Sequence, residues 1–211
     1  MGCGLGWRRA TWADPSPHRR PVNRRIGQLG GTTQVQYMER SLQLSKVERL
    51  VVADGDWYEI SCAVKEDGST SPAANLLDEL EQNMWPDPEA DALPDEYQVG
   101  LRQRLLASIE QLAETGDLPR GSYNSLHNGL WEFKPSNLRL TFFDTDGKGA
   151  FEPKLGEKFS SWSGKNEYLL ADDFDEFIRL GHCFAKTSEQ TTQEDLDLAN
   201  QLRIEDLTHD C

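Results

Sequence analysis

The sequence predicts an α+β domain with elements in the order β-α-α-β-β-β-α. Three patterns carry that prediction: strict alternation over 56–64, a helical apolar stripe over 95–115 and a hairpin pattern over 130–144.

Residues 39–53 fit either a short helix or a strand. From Asp56 to Val64, Tyr58, Ile60, Cys62 and Val64 share one side of a half-buried strand. The run Glu66-Asp67-Gly68-Ser69 ends it as a turn. Ser71 caps a helix with Pro72 in its first turn, and Leu76, Leu77, Leu80 and Met84 form its stripe. Pro86 and Pro88 stop that helix, and an acidic loop runs on to Pro94. The next helix spans Asp95 to Thr115, with Tyr97, Leu101, Leu105, Ile109 and Leu112 at helical spacing and Gly116 as its terminator.

Leu130–Asp144 reads as two strands joined by Ser136-Asn137. In that register Phe133 faces Leu140, Glu132 faces Thr141 and Trp131 faces Phe142. Trp131, Phe133, Leu138, Leu140 and Phe142 then form a core face, and Glu132, Lys134, Arg139 and Thr141 an open polar face. Thr145–Lys165 reads as a long loop, 177–184 as a strand and 192–207 as a closing helix capped by Thr192 with Asp195.

Charge divides the chain. The net is −14, but residues 1–37 hold six arginines and one acid, so a net of +5 precedes a net of −19 over 38–211. Proline, glycine and the lack of periodicity make 1–37 a disordered basic leader or an over-extended start. The acidity of the remainder disfavours nucleic-acid binding through bulk charge. No apolar run approaches roughly 18 residues, so no membrane-spanning helix is expected. Cys3, Cys62, Cys183 and Cys211 form no CxxC pair; buried free thiols and a cytoplasmic location fit them.

Few residues can carry chemistry. Lys134 and Arg139 are cross-strand neighbours, and two like charges there need an anion between them. That anion is either an acid such as Glu132, in a surface ion-pair network, or a phosphate. Lys186 follows the last strand and can join them. His182 runs in phase with Leu180 and Phe184, which favours a satisfied core histidine. Asp144-Thr145-Asp146-Gly147 has part of a calcium-loop pattern, but its later ligands are misplaced and a turn is expected. The acids Asp172, Asp173, Asp175 and Glu176 make a solvated face or a dock for a basic partner.

The runs Leu126-His127-Asn128-Gly129-Leu130-Trp131-Glu132-Phe133-Lys134, Leu138-Arg139-Leu140 and Leu180-Gly181-His182-Cys183-Phe184-Ala185-Lys186-Thr187, with the helix start after Thr192, resemble the RelE/ParE toxin superfamily, in its HigB-like, phage-derived branch. The resemblance is direct over about 125–144 and 178–205. It implies two N-terminal helices on a small twisted antiparallel sheet with a C-terminal helix, over 38–211, with an insertion at about 145–177. It further implies a toxin that cleaves mRNA on the ribosome without metal or cofactor, and a cognate antitoxin as partner. Lys134, Arg139 and Lys186 fall at the family's cationic positions; His182 or Lys186 would handle proton transfer. Thr187 stands where the family has a second lysine, and Lys134 where it has arginine. The alternative reading is a catalytically weak protein-binding module that acts through its acidic surface; a gyrase inhibitor of the ParE kind fits the motifs less well.

Overall fold

The structure is a computed structural model that describes residues 47–94, 98–126, 128–160, 166–186 and 190–210. The leader, Tyr97, His127 and Thr187 lie outside the described residues. All described elements fall within the unit Leu44–Cys211.

The chain is α+β. Strands β1 (Val51–Asp54) and β2 (Glu59–Cys62) come first, then helices α1 (Pro72–Glu81), α2 (Pro88–Asp91) and α3 (Leu101–Thr115). Strands β3 (Tyr123–Ser125), β4 (Trp131–Phe133) and β5 (Leu138–Thr145) follow. A small hairpin of β6 (Lys158–Ser160) and β7 (Asn166–Tyr168) precedes β8 (Phe177–Ala185) and helix α4 (Gln193–Leu207).

The main sheet has six strands in the order β1-β2-β8-β5-β4-β3. It is larger than the expected small antiparallel sheet, and it is mixed: β2 runs parallel to β8. Two strands, not helices, open the described fold, and the short α2 lies between the long helices. Pro88 explains α2. Preceded by the capping Asp87, it starts a helix turn instead of extending a loop. The Ser-Gly-rich insertion also pairs with itself as β6 and β7, too briefly for periodicity to reveal.

Both sheet faces are covered. Buried Leu76, Leu77 and Leu80 of α1 and Leu101, Leu105, Ile109 and Leu112 of α3 pack on one face with Ile60, Trp131, Phe133, Leu140 and Phe142. Ser71 caps α1 by accepting the Ala74 N–H at 3.3 Å. Met84, expected in the α1 stripe, is 64% exposed, because the helix ends at Glu81. Gly116 ends α3 in the left-handed region (φ 70°), where a Cβ would lie 2.7 Å from Trp57. The tilted rings of Phe133 and Phe142 have centroids 4.6 Å apart, and Phe174 meets Trp131 edge-on at 5.6 Å.

The opposite face carries α4, whose Ala199, Leu202 and Leu207 pack with Ala63, Leu130 and Phe143. A charge cluster fastens it. Asp206 is fully buried; its Oδ1 lies 2.8 Å from Arg49 Nε and accepts the Val64 N–H at 2.8 Å. Arg179 Nε approaches Asp206 Oδ2 at 3.7 Å and donates through Nη1 to Ser61 Oγ at 2.7 Å. Asp210 Oδ1 completes the cluster, 3.0 Å from Arg49. Removing one member of a buried charge network strands the others. Asp206→Ala is therefore expected to cost about 3–5 kcal/mol in urea unfolding, and a loss below about 1 kcal/mol would show that the cluster does not hold the helix.

Candidate functional site

The hairpin register follows the sequence: Trp131 pairs with Phe142, Glu132 with Thr141 and Phe133 with Leu140. Opposite residues share a side, so Glu132, Thr141 and Arg139 stand on the α4 face. That face is not open as expected: Glu132 is 0% exposed, Thr141 1% and Arg139 8%. The described pairing ends at Phe133, and the Lys134 N–H donates to Ser122 O at 2.8 Å.

A bulge places His182. Leu140 pairs with Cys183 and Phe142 with Leu180, so the one β5 residue between them, Thr141, lies opposite two on β8, Gly181 and His182. Leu180 and Cys183 therefore both turn toward the apolar core, and the phase reverses between them. His182 leaves the side of Leu180 and joins Phe184, which pairs with Arg139; the two rings stack at 5.7 Å. The core-histidine expectation is thereby corrected: alternation failed because one residue was added. Gly181 permits the bulge, since a Cβ there would meet Thr141 Oγ1 at 2.8 Å. Thr141 Oγ1 donates to His182 O at 3.0 Å.

The first turn of α4 meets this bulge. Thr192 Oγ1 accepts the Asp195 N–H at 3.2 Å, and Asp195 Oδ1 lies 3.3 Å from His182 Nε2. The carboxylate thus orients the imidazole, which sequence spacing did not indicate.

Lys134, Arg139 and Lys186 converge electrostatically on one carboxylate, Glu132. Arg139 Nε is 3.7 Å from Glu132 Oε1, and Arg139 Nη1 donates to Ser136 O at 2.9 Å and Leu138 O at 2.6 Å. Asn124 Nδ2 approaches Glu132 Oε1 at 3.4 Å. Lys186 is tied to the hairpin tip, its N–H donating to Asn137 O at 2.7 Å. Burial pushes the Glu132 carboxyl pKa up, and this outweighs the opposing pull of Arg139, Lys186, Asn124 and Lys134. Burial also lowers the Arg139 pKa, against the pull of Glu132 and Glu89. The sequence placed Glu132 here only as one ion-pair partner; its full burial made it the shared centre.

Elsewhere, Asp172, Asp173 and Glu176 are exposed as expected, while Ala171 and Phe174 between them anchor the segment in the core. Asp117, Arg120, Glu157, Asp172 and Asp173 help line a cavity of about 610 Å³. The Asp146 segment is a turn, its carboxylate accepting the Lys148 N–H at 2.8 Å. Among the described residues, no group of three or more His, Cys, Asp or Glu side chains could hold a metal ion. No helix among them is long and apolar enough to cross a membrane. Cys62 and Cys183 are free, and burial pushes their thiols up to about 12 and about 11. Comparison with protein-family models, curated proteins and solved structures finds no match for the chain.

Beside the acidic segment, Asp144 is 1% exposed; it accepts the Asp175 N–H at 2.9 Å, and burial pushes its pKa up to about 6. Because the folded value lies above the ordinary 3.8, the native state binds a proton first and gains stability as pH falls from 7 toward 4. Asp144→Asn is expected to be more stable than the parent by about 2 kcal/mol at pH 7, and this advantage should vanish near pH 4. Chemical denaturation across that range checks this; a pH-independent difference would contradict it.

Proposed function

We propose that the chain is a metal-independent, cofactor-independent endoribonuclease, the toxin of a toxin–antitoxin pair of the RelE/ParE, HigB-like kind, which cleaves mRNA on the ribosome and so inhibits translation. The observation that carries this reading is the buried Glu132–Arg139 contact, with the charges of Lys134 and Lys186 acting on the same carboxylate, on the sheet face that also bears the His182–Asp195 pair. A cleavage of this class needs cations at the scissile phosphate and a group that moves a proton; Lys134, Arg139 and Lys186 would supply the first and His182 or Lys186 the second.

In the reaction, a ribose 2′-hydroxyl loses its proton and its oxygen attacks the adjacent phosphorus. The bond to the 5′-oxygen breaks, leaving a 2′,3′-cyclic phosphate and a 5′-hydroxyl. Arg139 and Lys134 would stabilise charge growing on the phosphoryl oxygens. His182, oriented by Asp195, or Lys186 would carry the proton to the leaving oxygen. The finer family arrangement, two helices and a C-terminal helix around a β3-β4-β5-β8 meander, is part of the same proposal. The site would lie in a cytoplasmic protein covered by an antitoxin when inactive.

A second reading has its own support. The cavity beside Asp172 and Asp173 carries four acids, with Asp117 and Glu157, against the single cation Arg120, as a module that docks a basic protein segment would need.

Induced in a bacterium, the full chain is expected to arrest growth and produce discrete transcript cuts in primer extension. Lys134→Ala, Arg139→Ala and Lys186→Ala should each reduce cutting by about 10²–10³-fold. Normal growth with intact transcripts would overturn the nuclease reading. Cutting that survives all three substitutions would move the site elsewhere.

A further inference from the structure

Two buried charge contacts on the same sheet face differ in quality. Asp206 and Arg49 are closed at 2.8 Å, with Oδ1 also accepting the Val64 N–H. Glu132 and Arg139 stand 3.7 Å apart, beyond hydrogen-bond range. Among the described residues, Glu132 Oε2 and Arg139 Nε are buried with no hydrogen-bond partner, as are Asp206 Oδ2 and Arg179 Nε; but Asp206 keeps its 2.8 Å bond to Arg49, whereas Glu132 has no bond of that length to Arg139. A structural arginine–carboxylate pair closes with two parallel bonds of about 2.7–2.9 Å. Leaving such a pair half-made in the interior is costly.

We propose that Glu132 is the resident counter-anion of the Lys134, Arg139 and Lys186 cluster, and that binding of an external oxyanion, such as a phosphodiester, requires Glu132 to take up a proton. An incoming oxyanion beside an ionised Glu132 meets like charge in a poorly solvated place; a protonated Glu132 removes that repulsion and offers an O–H donor. The groups that face Glu132 are Arg139 from β5, Lys134 beyond β4, Lys186 beyond β8 and Asn124 from β3. Glu89 of α2 acts on Arg139, and His182 is the neighbouring titratable group on the same face. The already raised pKa of Glu132 makes that proton accessible. This inference rests on the cation cluster of the proposed function, but not on RNA cleavage.

Linkage is reciprocal: if an anion favours protonated Glu132, protonation favours the anion by the same factor. Sulfate is a suitable probe, because its own charge is constant over the range used. By calorimetry in buffers of different ionisation enthalpy, the full chain should bind sulfate with proton uptake, losing affinity as pH rises. Glu132→Gln should bind more tightly than the parent at the higher pH, with neither uptake nor pH dependence. His182→Asn should keep the parent's pH dependence. The proposal is overturned if the parent binds sulfate equally at all pH values, or not at all. It is equally overturned if Glu132→Gln binds no tighter, or if uptake disappears in His182→Asn and persists in Glu132→Gln. The parent's own pH dependence decides the matter should Glu132→Gln fail to fold. A protein that binds sulfate as expected but leaves transcripts uncut overturns the nuclease reading alone.

Discussion

The carboxylate of Asp206 joins three parts of the chain that sequence separates widely. It takes Arg49 from the approach to β1, the Val64 N–H from the end of β2 and Arg179 from the middle of β8. The few apolar residues that α4 contributes, Ala199, Leu202 and Leu207, bury too little to fix its rotation by themselves. A directional contact at 2.8 Å supplies what non-directional burial lacks. Once the C-terminal end of α4 is fixed, its length carries Thr192 and Asp195 along the sheet to the bulge at His182. The His182–Asp195 pair therefore depends on a charge cluster at the far end of the same helix.

This arrangement gives the sheet two chemically different sides. The α1–α3 side is an aromatic and aliphatic core in which Trp131, Phe133, Phe142 and Phe174 touch. The α4 side combines a small apolar cluster with buried charges: the Asp206–Arg49 pair is closed at one end, and the looser Glu132–Arg139 contact stands at the other. Apolar packing on the first side supplies the stability that tolerates unsatisfied groups on the second. Arg139 also has its Nη1 engaged by two carbonyls of its own hairpin, which fixes the guanidinium relative to the turn. The cation is thus held in place while its Nε is buried without a hydrogen-bond partner.

Much of this was legible in the sequence because it depends on local periodicity. The β4–β5 register, the capping by Ser71 and Thr192 and the termination at Gly116 each follow from a few adjacent residues. What escaped depends on partners far along the chain. The parallel pairing of β2 with β8 joins residues more than a hundred positions apart, and alternation in either strand is silent about its neighbour. The bulge hides in a run of alternating character, visible only because Leu180 and Cys183 must both face the core. The burial of Glu132 escaped for the same reason. Glu132 shares with Thr141 the side of the hairpin opposite its apolar core, and only α4 and its neighbours convert that side into an interior.

The acidity of the domain acquires a physical role from the same placement. A net of −19 over 38–211 opposes non-specific adhesion to polyanions, because long-range repulsion acts on any nucleic acid that approaches. Three cations at one end of a sheet act only within a Debye length, about 8 Å at physiological salt. Such a cluster cannot recruit RNA from solution, but it can engage a phosphate delivered to contact distance. On the proposed role of Glu132, its carboxylate would strengthen that discrimination by holding the cluster closer to neutral until a competing anion and a proton arrive together. A ligand presented by a larger assembly meets both conditions more readily than a free strand, which is why the acidic surface and the cationic cluster are compatible features of one site.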